Sequence, residues 1–283
     1  MTILVFGKTG QVARELQALG GVTCLSRDNA DLSQPQNCAD AIRKHSPKGV
    51  INAAAYTAVD RAEDEATLAA RVNGCAPAAM AAACAEMDLP FVHISTDYVF
   101  DGSGSEPWNP EHLTNPKNAY GLSKLIGENA VREAGGRYAI LRTSWVFSSH
   151  GSNFVKSMLK LSENRQELNI VADQIGGPTP ASAIAQTCLA LLDQLANDAS
   201  KVGTYHFSGA PDVSWKEFAE TIFAQAGREI RVKGIPTSEY PTPATRPLNS
   251  RLDCTSLEQA FGIARPDWRR GLQNVLKDLE ITQ

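Results

Sequence analysis

Residues 3–13 read Ile3-Leu4-Val5-Phe6-Gly7-Lys8-Thr9-Gly10-Gln11-Val12-Ala13. Four consecutive apolar residues make a short buried strand, and the glycines after them supply the positive φ and open backbone of a tight turn. A helix opening at Gln11 presents free N–H groups and a partial positive charge to whatever lies in that turn, which is how proteins hold phosphate. Ala13 is small enough for helix and strand to pack closely. Gly7, Thr9, Gly10, Gln11 and Val12 are therefore expected to cradle a dinucleotide pyrophosphate. The spacing is G-x-x-G-x-x-A, and G-x-x-x-x-G-K-[ST] is absent, so Lys8-Thr9 does not mark a nucleoside triphosphate loop.

Working outward, short apolar runs alternate with longer helical patterns. Residues 3–6, 22–25, 50–53, 91–95 and 138–141 read as buried strands; 11–19, 35–45, 59–87 (broken near Gly74) and 120–134 read as helices. Strand and helix in strict alternation make a parallel sheet with right-handed crossovers, covered on both faces, with ligands at the carboxyl ends of the strands. The expected fold is α/β, a doubly wound Rossmann sheet followed by a smaller α/β substrate-binding domain. After about residue 145 the pattern loosens into helices at 153–161, 181–195 and 215–226, strands near 168–171 and 204–207, and a loop at 235–247 carrying four prolines. The last helix has Leu272, Val275, Leu276 and Leu279 at helical spacing, a core-facing stripe. Residues 1–147 are expected to bind the cofactor, with 175–208 returning to that domain, while 148–174 and 209–283 form the substrate domain.

The 283 residues, 43% apolar and 20% charged, have ordinary globular composition. A net charge of −4 provides no field for nucleic acid or anionic lipid, so neither is an expected partner. No run approaches the roughly 18 apolar residues of a membrane span. Met1 is followed directly by an apolar run without a basic segment, so a secretory signal is not expected and the protein is placed in the cytoplasm. Cys24, Cys38, Cys75, Cys84, Cys188 and Cys254 show no metal-ligand spacing and read as reduced thiols.

The second strand runs into Leu25-Ser26-Arg27-Asp28. An acidic residue at that point accepts a ribose hydroxyl, whereas Arg accommodates a 2′-phosphate. Arg27 favours NADPH and Asp28 argues for NADH; Asp31 and Leu32 are placed to edge the adenine. Tyr120 and Lys124 are four residues apart on a helix and share one face. An ammonium beside a phenol lowers its pKa from near 10, which makes it a usable proton donor. Ser95-Thr96, at the end of the fourth strand, supplies a hydroxyl for the reacting oxygen.

Together, the loop from Gly7 to Ala13, the Tyr120/Lys124 pair and Ser95-Thr96 resemble the extended short-chain dehydrogenase/reductase family. Further runs resemble its dTDP-4-dehydrorhamnose reductase branch: Asn52-Ala53-Ala54-Ala55-Tyr56-Thr57-Ala58-Val59-Asp60, Ser95-Thr96-Asp97-Tyr98-Val99-Phe100, Arg142-Thr143-Ser144-Trp145-Val146, Asp173-Gln174-Ile175-Gly176-Gly177-Pro178-Thr179 and Tyr240-Pro241-Thr242-Pro243-Ala244-Thr245-Arg246-Pro247. The resemblance implies NADPH-dependent reduction of the C4 keto group of dTDP-4-dehydro-L-rhamnose. In that reaction Tyr120 would give the proton, Lys124 would tune Tyr120 and hold the ribose, and Thr96 would bond the same oxygen. Ala53, Ala54 and Ala55 would border the cofactor. Trp145 would cover the sugar, with Thr57, Val59, Asp60 and Tyr98 beside it; the lesser alternative is that Trp145 and Tyr98 are core aromatics.

A nucleoside diphosphate needs cations, and Arg246, Asn249 and Arg251 are the expected ligands. The 101–119 loop, with five Gly or Pro residues and an otherwise exposed Trp108, reads either as a lid or as a surface excursion. The resemblance also implies, as in many bacterial members, a dimer bridged by Mg²⁺ through glutamates from three separated segments. Glu15 matches one, but Ser182 and Arg269 stand at the other two positions, so no metal is expected, and the chain is read as a monomer or a homodimer held without metal. A nucleotide-sugar epimerase that keeps its NAD bound and a non-catalytic regulatory subunit are the alternative readings.

Overall fold

The computed structural model describes residues 2–281; Met1, Thr282 and Gln283, which fall within the expected domain spans, lie outside the described residues. Six parallel strands form the central sheet: β1 (Ile3–Phe6), β2 (Val22–Leu25), β3 (Gly49–Asn52), β4 (Phe91–Thr96), β5 (Tyr138–Thr143) and, much later in the chain, β10 (Gly203–His206). Their order is β10-β5-β4-β3-β1-β2, which reverses direction beside β1. Ligands in such sheets settle outside the strand ends at that reversal.

Helices cover both faces. On one, α2 (Pro35–His45), α4 (Ala76–Glu86) and α5 (Ala119–Ala134) pack through Cys38, Ile42, Met80, Cys84 and Val131 onto Leu4, Phe6, Val50, Phe91 and Ile140. On the other, α1 (Gln11–Leu19), α7 (Ala181–Asn197) and α9 (Thr255–Phe261) pack through Leu16, Ile184, Leu191 and Leu257 onto Val5, Ile51, Val92 and Leu141. Alternation of Leu4 and Phe6 with Val5 between the two clusters follows from the two-residue period of a strand.

The long helix expected over 59–87 begins only at Ala66. Residues 59–64 form turns, α3 (Ala66–Ala70) follows, and a wide π turn at Arg71–Cys75 leads into α4. Gly74 lies in that turn, where a side chain would collide with Ile126 of α5. Gly121 and Gly127 do the same work on α5, since an added Cβ would run into the carbonyl oxygens of Tyr98 and Asn73.

Around a separate core stand β6 (Val146–Phe147), α6 (Phe154–Ser162), β7 (Glu167–Val171), β8 (Ile175–Gly176), β9 (Thr179–Pro180), β11 (Val213–Ser214), α8 (Trp215–Gln225), β12 (Arg231–Ile235), β13 (Asn249–Ser250) and α10 (Trp268–Asp278). Phe147, Val155, Leu168, Phe218, Trp268 and Leu272 fill it, and of the expected stripe on the last helix Leu272, Val275 and Leu276 are buried. Ser214 starts α8 with a capping box, exchanging hydrogen bonds with Glu217. The segment around 235 departs from a plain loop: β12 ends at Ile235 and pairs in parallel with β7.

Candidate active site

At the end of β1 the chain turns through Gly7 at φ 109°, a value that favours glycine, and a Cβ there would press at 3.4 Å on Ala53 and Ala54. Gly10 precedes α1 without any side-chain cap, so the first N–H groups of the helix remain open to a ligand. Lys8, Thr9 and Gly10 are exposed and Val12 is buried beneath them. This cradle fits a dinucleotide pyrophosphate. Gln11 does something else: its side-chain oxygen accepts from Ser148 Oγ (3.0 Å) and Asn153 Nδ2 (2.9 Å), tying the turn to the second core.

Past β2, Arg27 is exposed, and it helps hold the Asp31 carboxyl below the usual range, mainly a consequence of the Ser33 backbone N–H at 2.9 Å. Leu32 is buried. Ala53, Ala54 and Ala55 are half-buried where the chain leaves β3.

Register brings the reacting groups together. Thr96 ends β4 opposite Thr143 of β5, so Thr96 and Trp145 emerge along the same edge. The α5 helix begins at an Asn118 cap, whose Oδ1 accepts from Gly121 N at 2.7 Å while Nδ2 donates to Thr245 O at 2.7 Å. Buried Asn73 secures the next turn by donating to Ser123 Oγ at 2.9 Å and to Tyr56 O at 3.0 Å. Tyr120 thus stands edge-on to Tyr98, 5.6 Å between ring centres, with Thr96 near enough to act on its phenol.

Lys124 lies on the same face but is nearly inaccessible. Its Nζ donates to Ile94 O at 2.7 Å and lies 3.4 Å from His93 Nε2, and burial lowers it to about 8. Tyr120 is pushed up to about 12 by burial, and the groups acting on it are Thr96, which lowers it, and Asp97, which raises it. The expected depression of Tyr120 by Lys124 is not what this arrangement produces, because the ammonium is held against β4. His93, beside Asn52 at 3.1 Å, falls well below the usual imidazole range through burial and the nearby cations, so it stays neutral.

Ser95 does not join Thr96 at the reacting oxygen. Its hydroxyl donates to Glu128 at 2.6 Å, and Glu128 also takes a two-pronged bond from Arg142 (2.9 and 2.7 Å) and one from Arg132 (2.7 Å). Arg142 reaches on to Pro110 O and His206, and lies over the Phe100 ring at 5.0 Å. Trp108 is not exposed: it stacks on Phe100 at 4.7 Å, and its backbone pairs with Arg251 and Asp253. The 101–119 loop is therefore fastened from inside as well as at its edge.

Asn249 is part of that fastening. It is 2% exposed and donates to Ser103 O and Glu106 O, while its own oxygen accepts from Arg251 Nη1 at 3.0 Å. The expected role of Asn249 as a phosphate ligand thus gives way to a loop anchor. Arg246 forms a fork with Asp60 at 3.0 and 2.8 Å, bridging the segment after β3 to the proline-rich loop beside Tyr98. Thr57 is exposed and Val59 half-buried on the same rim.

Trp145 adopts φ 49°, a left-handed backbone that bulky residues rarely take, and stacks on Trp215 at 3.6 Å. Trp215 in turn donates to Gln174. Glu15 lies 3.9 Å from His150, while Ser182 and Arg269 are exposed and Arg269 rests over the Trp268 ring at 4.7 Å. Buried Asp97 has no role expected from the sequence, although a carboxylate directly after a strand-end hydroxyl is a signal that marks it.

The family model described as RmlD substrate binding domain matches residues 1–281. A dTDP-4-dehydrorhamnose reductase of Burkholderia thailandensis is 46% identical, covering 99% of each chain. Among solved structures, a Clostridium acetobutylicum dTDP-4-dehydrorhamnose reductase superposes with TM-score 0.93 at 36% identity, over 99% of this chain and 100% of that one. The Bacillus anthracis dTDP-4-dehydrorhamnose reductase, solved in complex with NADP, gives TM-score 0.91 at 32% identity over 98% and 100%.

Proposed function

The chain belongs to the RmlD substrate binding domain family, and from that premise we propose that it reduces the C4 keto group of dTDP-4-dehydro-L-rhamnose to give dTDP-L-rhamnose. The observation that carries this is Tyr120 and Lys124 on one face of α5 beside Thr96 at the end of β4, in a chain whose first helix opens without a side-chain cap. The cofactor is NADPH, which supplies hydride when bound; Gly7, Thr9, Gly10 and Val12 would hold its pyrophosphate, Arg27, Asp31 and Leu32 its adenosine end, and Ala53, Ala54 and Ala55 its inner edge.

Tyr120 gives its hydroxyl proton to the sugar oxygen as negative charge develops there. Thr96, at the end of β4, would bond the same oxygen and also lowers Tyr120. Burial holds Tyr120 in its protonated form until the oxygen demands the proton, which suits an acid better than a base. Lys124, fixed against Ile94, keeps the positive charge at the cofactor end. Trp145 and Tyr98 shape the sugar pocket with Thr57 and Val59 at its rim. Asp60 positions Arg246 for the diphosphate, and Arg251 stands behind it on the anchored loop. The intact proton donor favours this activity over a regulatory subunit.

Residues 1–147, with 175–208 returning to them, serve as the cofactor domain, and 148–174 and 209–283 as the substrate domain. We assign the protein to the cytoplasm as a monomer or a homodimer held without metal, with no nucleic acid partner. Six free cysteines support a reducing compartment, and no helix among the described residues is long and apolar enough to cross a membrane. The test is loss of reduced-nicotinamide absorbance with the ketosugar nucleotide. Stoichiometric oxidation supports the reductase, bound cofactor without consumption an epimerase, and inertness a regulatory subunit. Tyr120→Phe should retain cofactor binding and lose about 10²-fold or more in kcat, as for a removed general acid.

A further inference from the structure

His206 closes β10 beside Arg142 of β5 and is 0% exposed. Both of its ring nitrogens are committed: Nδ1 lies 2.9 Å from Trp108 O, and Nε2 lies 3.3 Å from Arg142 Nη1. A carbonyl oxygen only accepts and a guanidinium only donates, so the imidazole is neutral with its proton on Nδ1. Burial and the Arg142 charge bring its pKa down to about 3, in keeping with that state. The ring thus links the central sheet to the middle of the 101–119 loop.

From Trp108 the connection runs on into the segment that carries Arg246 and Arg251. Trp108 N donates to Arg251 O at 2.9 Å, Asp253 N donates to Trp108 O at 2.8 Å, and Trp108 Nε1 donates to Asn249 O at 3.1 Å. Nearer the start of the loop, Gly102 O accepts from Asn249 N at 3.0 Å, and a Cβ on Gly102 would run into Pro247. At the other end Asn118, the cap of the helix that carries Tyr120, donates to Thr245 O at 2.7 Å. Phe100 and Leu252 are buried together, with Trp108 packed against them. Residues 245–253 are therefore bonded to the loop near both of its ends and at its middle.

We propose that His206 is a positioning residue for the reductase: by holding Trp108 it sets the span between Tyr120 and the Arg246–Arg251 segment. This rests on the reductase reading above, in which those arginines meet the diphosphate. A substrate that touches Tyr120 with its sugar and Arg246 with its diphosphate must match that span. Fixing the span beforehand spares each binding event the cost of ordering one end of the site against the other. A ligand with the diphosphate but no sugar feels no such constraint.

The experiment compares His206→Phe, which fills the space of the ring and removes both bonds, with His206→Asn, whose amide places an N–H where Nδ1 stands. His206→Phe should raise KM for the ketosugar nucleotide about tenfold, the scale of one lost hydrogen bond, with NADPH affinity and inhibition by thymidine diphosphate unchanged. His206→Asn should restore the wild-type KM. Trp108→Phe, which keeps a ring on Phe100 and loses the bond to Asn249, should raise KM about threefold in the same pattern, and it carries the test if His206→Phe does not fold. Hydrogen exchange in the protein without ligands gives a second readout: the Asn249 and Asp253 amides should exchange about tenfold faster in His206→Phe than in wild type. An unchanged KM, an equal weakening of substrate and thymidine diphosphate, or unchanged exchange would overturn the proposal. A wild type inert toward the ketosugar nucleotide would overturn the reductase reading and this role with it, whereas an active wild type confines any of those failures to His206.

Discussion

Glu128 and Arg142 form a two-pronged ion pair whose side chains are 0% and 2% exposed; Asp60 and Arg246 form another two-pronged pair at 40% and 24%. The first stands behind the strand ends and fastens β4, β5 and the 101–119 loop to one another. The second crosses the rim of the cleft between segments far apart in the chain. A ligand cannot reach the buried pair, whose strength is needed to offset desolvation of its own charges. Charges at the rim keep part of their water, so Arg246 can exchange a carboxylate for a phosphate at small cost. Two forked pairs in two environments thus leave one to architecture and the other open to exchange.

Glu128→Ala is the harshest way to break that contrast, because it leaves Arg142 buried without its partner. The expected loss is about 3–5 kcal/mol, read from denaturant midpoints. Glu128 is held below its usual range, so its contribution is present above the unfolded value and disappears as pH falls through the folded one.

Asp97 has the opposite sign. Its folded value of about 6 lies above the ordinary 3.8, so wild-type stability is greatest below the unfolded value and is lost as pH rises through 6. Asp97→Asn should then stabilise the protein by up to about 3 kcal/mol at neutral pH and by little at pH near 4, at one pH unit per about 1.4 kcal/mol. Equal unfolding midpoints for the two proteins at both pH values would remove the basis for a costly buried charge.

The rim pair sharpens the comparison from the other side. Arg246→Ala should raise KM about tenfold, equivalent to one charged hydrogen bond, while shifting stability by less than about 1 kcal/mol. A large stability loss with unchanged KM would make the pair architectural like its buried counterpart. The smallest effect belongs to exposed Arg27: Arg27→Ala should narrow the ratio of NADPH to NADH rates by about fivefold, the scale of a surface charge contact, checked by steady-state rates with each coenzyme.

Much of the cofactor side was legible because it is local. The strand, glycine turn and helix at 3–19 are contiguous, and β1, α1, β2 and α2 have the limits their hydrophobic patterns imply. Tyr120 and Lys124 share a face because helical spacing alone requires it. The helix expected from 59 starts only at Ala66, because nothing in the charged stretch before it forbids a helix, whereas the expected break near Gly74 falls in the π turn where Ile126 approaches. Ser95, Trp108 and Asn249 could not be assigned from composition: polar and aromatic residues in strand ends and loops suit a ligand or an anchor equally. Their partners are Glu128, Phe100 and the carbonyls of Ser103 and Glu106.

By itself, then, the sequence determined a parallel sheet with a phosphate-holding turn and the residue types of a hydride-linked proton transfer, because periodicity and local backbone freedom act over a few residues. Only the tertiary structure decided which polar side chains face the cleft and which hold it in shape. Burial determines whether a charge must be matched inside the protein, and the partners that match it come from the other end of the chain.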